Sequence, residues 1–166
     1  IKMITIEKIN NLNKSDFLVI FGNVFEKSDW IAEKVFDLKP FKDYEDIISK
    51  LINTYENSEK EIILKILNYH PELVVEKKLT SNSKSEQKNA KLNECTNDEY
   101  NEFKKLNIEY KKKFDFPFII AVKGKNRTEI LASFRERIKN SLDEEFFEAK
   151  NQVRKIASFR LEEILK

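Results

Sequence analysis

Two glycines, three prolines, one cysteine and one histidine in 166 residues limit what this chain can do. Two Gly are too few for a three-glycine dinucleotide fingerprint, and no Gly-rich phosphate loop is written. A single Cys rules out an intramolecular disulfide and any Cys-cluster zinc site. A single His rules out the usual multi-His metal sites and leaves only a carboxylate-built one open. No metal and no cofactor are expected. An excess of one charge is missing too. The 31 Lys and Arg face 29 Asp and Glu, a net charge of +2, so no long-range field gathers nucleic acid. The longest apolar runs, Phe17 to Phe21 and Phe118 to Val122, are five residues each, where a bilayer-spanning helix needs about 20. No membrane partner is expected. The N-terminus alternates apolar and charged residues, so no signal peptide is expected, and Met3 reads as a natural start behind Ile1 and Lys2. The end Ile164-Leu165-Lys166 writes no peroxisomal address. A reducing cytoplasm is the expected compartment.

What is present is an ordinary globular balance: 40% hydrophobic and 36% charged residues, with 13 Phe. The length suits one domain, residues 1–166, with a radius of gyration of about 15 Å. Helical periodicity dominates. Ser15 reads as the cap of a helix to Gly22, and Ser28 or Asp29 as the cap of Trp30 to Phe36. Asp43 caps a helix to Tyr55 with Ile47, Ile48, Leu51 and Tyr55 inward. Ser58 opens another, with Ile62, Ile63, Ile66 and Leu67 inward, that ends at His70 because Pro71 disfavours helix in the preceding residue. Pro71 can then open a short helix through Leu73. Thr96 caps a long helix carrying Phe103, Leu106, Asn107, Tyr110 and Phe114, which Phe116-Pro117-Phe118 must leave. Ile119 to Val122 is a short apolar run with no evident strand partner. Thr128 starts a helix to Ile138, and Asp143 caps a last one to about Leu165. The expected fold is all-α, a single compact multi-helix domain of roughly eight helices.

Three features look chemical. His70 has Leu67, Ile66 and Ile63 behind it at i−3, i−4 and i−7, so it points toward the apolar face, at a helix C-terminus that favours a protonated ring. It reads either as a hydrogen-bonded structural His or as a general acid or base at a pocket mouth. Arg160 lies on the stripe of Ala149, Val153, Ile156 and Ile164. A guanidinium there snorkels, pairs with a buried carboxylate, or binds an anion. Ser83-Lys84-Ser85-Glu86-Gln87 follows a polar loop. Ser83 and Glu86 have capping-box spacing, and the alternative is a set of helix-N-terminal amides that hold an anionic or carbonyl-bearing ligand. Cys95 and Trp30 read as packing residues, and Lys111 to Lys113 as a solvated face.

In order, these residues resemble one family. The pattern takes in Asn23-Val24-Phe25-Glu26, Ser28, Trp30-Ile31-Ala32-Glu33, His70-Pro71-Glu72-Leu73, then Ser83, Glu86, Gln87 and Ala90. Leu106-Asn107, Tyr110, Lys113-Phe114 and Phe116-Pro117-Phe118-Ile119 follow. Ile130-Leu131, Phe134, Arg137, Lys155-Ile156-Ala157 and Arg160-Leu161 complete it. Each piece is weak and their ordered conjunction is specific. From about Ile4 to Leu165 the chain resembles 2-oxo-4-hydroxy-4-carboxy-5-ureidoimidazoline (OHCU) decarboxylase, a cofactor-free enzyme of uric acid degradation. It departs from that pattern at Lys91 and Asp115, where the family usually has Gly, and at Asp29, where Pro is common.

The resemblance implies an all-α homodimer that converts the small-molecule substrate OHCU to (S)-allantoin and carbon dioxide. It implies His70, Glu86 and Arg160 as the catalytic set. It also implies Pro71, Ser83, Lys84, Ser85 and Gln87, with Phe118, Ile119, Ile120, Ala121 and Val122, as the substrate lining. Backbone groups around Ile119 and Ala121 are expected to meet the ring amides of the substrate. The alternatives are a non-catalytic helical interaction module, and a relative that acts on another ureido or imidazolone compound.

Overall fold

The computed structural model describes residues 3–74 and 79–165. Ile1, Lys2 and Lys166, on which the readings of the two chain ends rest, lie outside these residues. Among the described residues there are nine α-helices and no strand, so the all-α class holds with one helix more than expected. None of these helices is long and apolar enough to cross a membrane. The chain packs as two compact units, one taking in the chain up to Tyr69 and from Arg154 onward, the other running His70–Val153.

The first unit contains α1 (Ile6–Asn11), α2 (Lys14–Phe21), α3 (Trp30–Phe36), α4 (Tyr44–Glu56), α5 (Lys60–Tyr69) and the last turns of α9 (Leu142–Leu165). The unexpected α1 is six residues long and buries only Ile9, too little to write a periodic signal. Asn13, rather than Ser15, caps α2, accepting from the Asp16 N–H at 2.8 Å. Neither candidate caps α3. Asp29 makes no capping bond, and the Ser28 hydroxyl donates to the Glu26 carbonyl at 2.9 Å. Trp30, expected in the core, is half-buried beneath the Lys34 ammonium, 5.1 Å from its ring centroid. Asp43 caps α4 as expected, and Ile47, Leu51 and Tyr55 are its buried stripe. α5 buries Ile63, Ile66 and Leu67 and stops at Tyr69, two residues before Pro71. Phe25 stacks on Tyr55 with 4.8 Å between centroids.

The second unit contains α6 (Ser81–Asn89), a short 3-10 turn (Leu92–Glu94), α7 (Asn97–Phe114), α8 (Arg127–Arg137) and the first half of α9. The short helix expected at Pro71 is a bend instead, closed by Val74 at φ 56°. Thr96 and Glu99 form the α7 capping box, and Phe103, Leu106, Asn107, Tyr110 and Phe114 are buried as their spacing predicts. Asn126, not Thr128, caps α8 with Glu129 as its reciprocal partner. Ser141, not Asp143, holds the start of α9. Its hydroxyl accepts from the Glu144 N–H at 3.2 Å, and its own N–H donates to the Glu144 carboxylate at 3.0 Å. In both helices a polar residue three positions ahead of a Glu wins the cap, because that spacing satisfies two orphan donors at once. Lys91 (φ 58°) and Asp115 (φ 63°), the two positions where the resemblance expects Gly, both adopt the left-handed conformation.

Candidate active site

His70 is the first residue past α5 and is 7% exposed. The bend it opens is held from two helices. From α7, the Asn107 amide donates to the Leu73 carbonyl at 2.9 Å. From α6, the Gln87 carbonyl oxygen accepts from the Val74 N–H at 3.2 Å, and its Nε2 lies 3.5 Å from the Glu72 carbonyl. Gln87, expected in the substrate lining, therefore spends its amide on the backbone beside Pro71.

α6 begins three residues before Glu86's expected box could form. Thr80 is the cap, and its hydroxyl accepts from the Ser83 N–H at 3.2 Å, which places Ser83 in the first turn and Glu86 in the second. The Ser83–Glu86 capping box is thus replaced, because Thr80 already satisfies that donor. Ser83 and Ala90 are buried and Glu86 half-buried along one stripe, while Lys84 and Ser85 are exposed. On the other stripe Lys84, Gln87 and Lys88, with Val74, Leu92 and Tyr100, line a cavity of about 330 Å³. Cys95 borders the same cavity. Its thiol donates to the Leu92 carbonyl at 3.1 Å, and burial pushes it up from its ordinary range.

Phe118 to Val122 are all buried and form no strand. Two of their peptide groups are held by side chains. The Ile119 carbonyl accepts from Arg137 Nη1 at 2.6 Å, and the Ala121 N–H donates to the Gln152 carbonyl oxygen at 2.9 Å. These are the groups expected to meet substrate amides, and the protein itself engages both.

Arg137 belongs to a buried network. The Glu145 carboxylate, 0% exposed, receives Arg137 Nε at 2.8 Å, the Tyr110 hydroxyl at 2.5 Å and the Asn140 amide at 3.0 Å. Burial, and then the bond to Glu145, push the Tyr110 hydroxyl far above its ordinary range.

Arg160 lies in the first unit, 2% exposed, with its guanidinium against the Glu26 carboxylate at 2.8 Å and the Asn23 carbonyl at 2.8 Å. Of the three sequence readings of Arg160, the buried ion pair is the one observed. Among the described residues no group of three or more His, Cys, Asp or Glu is arranged to hold a metal ion.

Glu26, Asn107, Arg137, Glu145 and Gln152 do not stand out in the sequence as functional residues. The test that flags Arg160, a polar residue on an apolar stripe, also flags four of them. Asn107 lies on the stripe of Phe103, Leu106 and Tyr110, Arg137 follows Ile130 and Phe134 at i+7 and i+3, and Glu145 and Gln152 flank Ala149 on α9. Glu26 gave only its place in the family pattern.

The profile of the family described as OHCU decarboxylase matches residues 10–162. The chain is 38% identical over 164 residues to a uric acid degradation bifunctional protein of Bacillus sp. (strain TB-90), covering 99% of this chain and 33% of that one. The chain thus spans about a third of that relative's length. It is 33% identical over 160 residues to the 2-oxo-4-hydroxy-4-carboxy-5-ureidoimidazoline decarboxylase of Haloferax volcanii, covering 96% of this chain and 95% of that one. In fold it is similar to the crystal structure of an (S)-allantoin synthase, with a TM-score of 0.78 and 23% identity, over 98% of this chain and 54% of that one.

Proposed function

The chain belongs to the OHCU decarboxylase family, and on that footing we propose that it converts 2-oxo-4-hydroxy-4-carboxy-5-ureidoimidazoline to (S)-allantoin and carbon dioxide, a carboxy-lyase step of uric acid degradation. The observation that carries this reading is the family match over residues 10–162, which takes in His70, Glu86 and Arg160.

In this reading Arg160 orients the substrate carboxylate by charge-assisted hydrogen bonds. The bond from the hydroxyl-bearing ring carbon to the carboxylate breaks, its electron pair forms a C=C bond to the neighbouring ureido-bearing carbon, and the former C=N pair moves onto the ring nitrogen, which takes a proton. The hydroxyl then gives up its proton to become the ring carbonyl, and the planar ureido-bearing carbon takes a proton on one face, which sets the S configuration. His70 supplies or relays the proton, and general acid–base help of this kind is worth about 10²–10⁴-fold. Glu86 accepts a hydrogen bond from the substrate hydroxyl or ureido N–H. Pro71, Ser83 to Gln87 and Phe118 to Val122 line the substrate. The same resemblance supports a cofactor-free homodimer in the cytoplasm, with residues 1–166 as one functional domain.

The test is circular dichroism of freshly generated OHCU with and without the protein. Uncatalysed decay gives racemic allantoin, so chirality, not consumption, is the readout. Rapid growth of the (S)-allantoin signal is the expected result. Racemic product at the background rate overturns the assignment.

A further inference from the structure

The buried network around Glu145 has no part in the chemistry above, yet its carboxylate, 0% exposed, accepts from three side chains. A buried ion pair is often no more stabilising than apolar residues of the same volume, so what it holds is informative. Arg137 is the last residue of α8, and Glu145 sits in the first turn of α9. Each charge therefore faces the helix end that favours it. With Tyr110 and Asn140 also on the carboxylate, the guanidinium has one orientation. In that orientation its Nη1 reaches the Ile119 carbonyl at 2.6 Å, and its Cζ lies over the Phe118 ring, 4.4 Å from the centroid. Phe118 in turn stacks on Phe134, with 3.9 Å between centroids and 8° between planes.

Gln152 acts on the same segment. Its Nε2 donates to the Glu148 carboxylate at 2.7 Å, which turns its carbonyl oxygen toward the Ala121 N–H, 2.9 Å away. A segment with no strand partner has no ladder to fix its peptide planes. Here a carbonyl at 119 and an N–H at 121 are fixed by two side chains that are themselves fixed.

We propose that Arg137 and Gln152 are positioning residues for the reaction: by holding the Ile119 carbonyl and the Ala121 N–H they set the peptide orientation of residues 118–122, and so which backbone groups that segment offers the substrate. This rests on the reading of 118–122 as substrate lining. Neither residue touches the substrate.

The experiment compares kcat and KM for OHCU, with Tm, in the wild-type protein, Gln152→Met, and the exchanged pair Gln152→Glu with Glu148→Gln. Met keeps the volume of Gln152 and removes the acceptor. The exchange restores an acceptor for the Ala121 N–H and reverses the donor–acceptor sense of its bond to residue 148. Gln152→Met is expected to lower kcat/KM by about 10- to 100-fold, mainly through KM, and the exchanged pair to recover most of it. Arg137→Lys, which keeps the charge beside Glu145 but loses the fork that spans to Ile119, is expected to lower kcat/KM in the same way, and it takes the place of Gln152→Met in the comparison if Gln152→Met fails to fold. Unchanged kcat and KM in a folded Gln152→Met overturn the proposal. So does a loss that the exchange does not rescue and that follows Tm alone. A wild-type protein that forms no excess of (S)-allantoin overturns the proposed function and this inference with it.

Discussion

Arg160 and Glu26 form an ion pair at 2.8 Å in which the two side chains are 2% and 1% exposed. The guanidinium also donates to the Asn23 carbonyl at 2.8 Å, so the loop that precedes α3 holds its orientation. Breaking such a pair from one side leaves the other charge buried without its counter-ion, at a cost of about 3–5 kcal/mol. Arg160→Met alone is therefore expected to destabilise the protein by that amount in urea unfolding. Arg160→Met combined with Glu26→Leu removes both charges and is expected to recover most of the stability and none of the turnover. Wild-type kcat/KM in the double variant would remove Arg160 from the reaction.

His70 is expected to separate chemistry from folding. It follows the last residue of α5, and the bend it opens is held by Asn107 and Gln87 through the backbone of Leu73 and Val74. His70→Ala should therefore retain its helical circular dichroism while kcat falls by about 10²–10⁴-fold. The residual product carries a second readout. If His70 delivers the proton to one face, allantoin formed by the variant loses its enantiomeric excess. A variant that is slow but fully S-selective assigns the stereochemical proton to another group.

Most of the helices were legible because their stripes are long. α4 and α7 each write three or more buried turns, and their boundaries fall where Asp43 and Thr96 place them. The caps of α2, α6, α8 and α9 fell elsewhere. A stretch such as Thr80 to Ser85 offers several hydroxyls in a row, and only the packed helix selects one. The six-residue α1 is shorter than two turns, so no period can show in it. The candidate site was legible only as single odd residues. Their partners were not, because the partners of Arg160 and Arg137 depend on chain reversals that periodicity does not encode: 134 residues separate Arg160 from Glu26, and a turn separates Arg137 from Glu145.

Tyr55 in the first unit and Tyr110 in the second give an alkaline limit. Burial holds both hydroxyls far above the ordinary tyrosine value near 10. The sign follows from linkage. Groups raised in the folded state leave stability intact below pH 10, and stability falls above it as the unfolded chain loses protons that the folded chain keeps. Each tyrosine contributes a slope of about 1.4 kcal/mol per pH unit there. Urea unfolding at intervals from pH 9 to 11.5 should show the decline, and Tyr55→Phe and Tyr110→Phe should each lessen it by that slope. A decline unchanged in both variants would assign alkaline unfolding to other groups.

Lys91 and Asp115 are expected to respond unequally to glycine. Both have positive φ, at 58° and 63°. An L residue there brings its Cβ close to the following carbonyl, at a cost of roughly 1–2 kcal/mol that Gly does not bear, while Asp tolerates the region better than Lys. Gly also gives the unfolded chain more freedom, which returns about 0.5–1 kcal/mol of that gain. Lys91→Gly should therefore stabilise by about 0.5–1 kcal/mol, a rise of roughly 1–4 °C in Tm for a chain of this size, and Asp115→Gly by less. Lys91→Ala separates backbone from charge, because Ala keeps the Cβ and removes the ammonium. Its Tm should stay near the wild-type value. A rise in Lys91→Ala equal to that in Lys91→Gly would place the benefit in the lost charge and not in the left-handed turn.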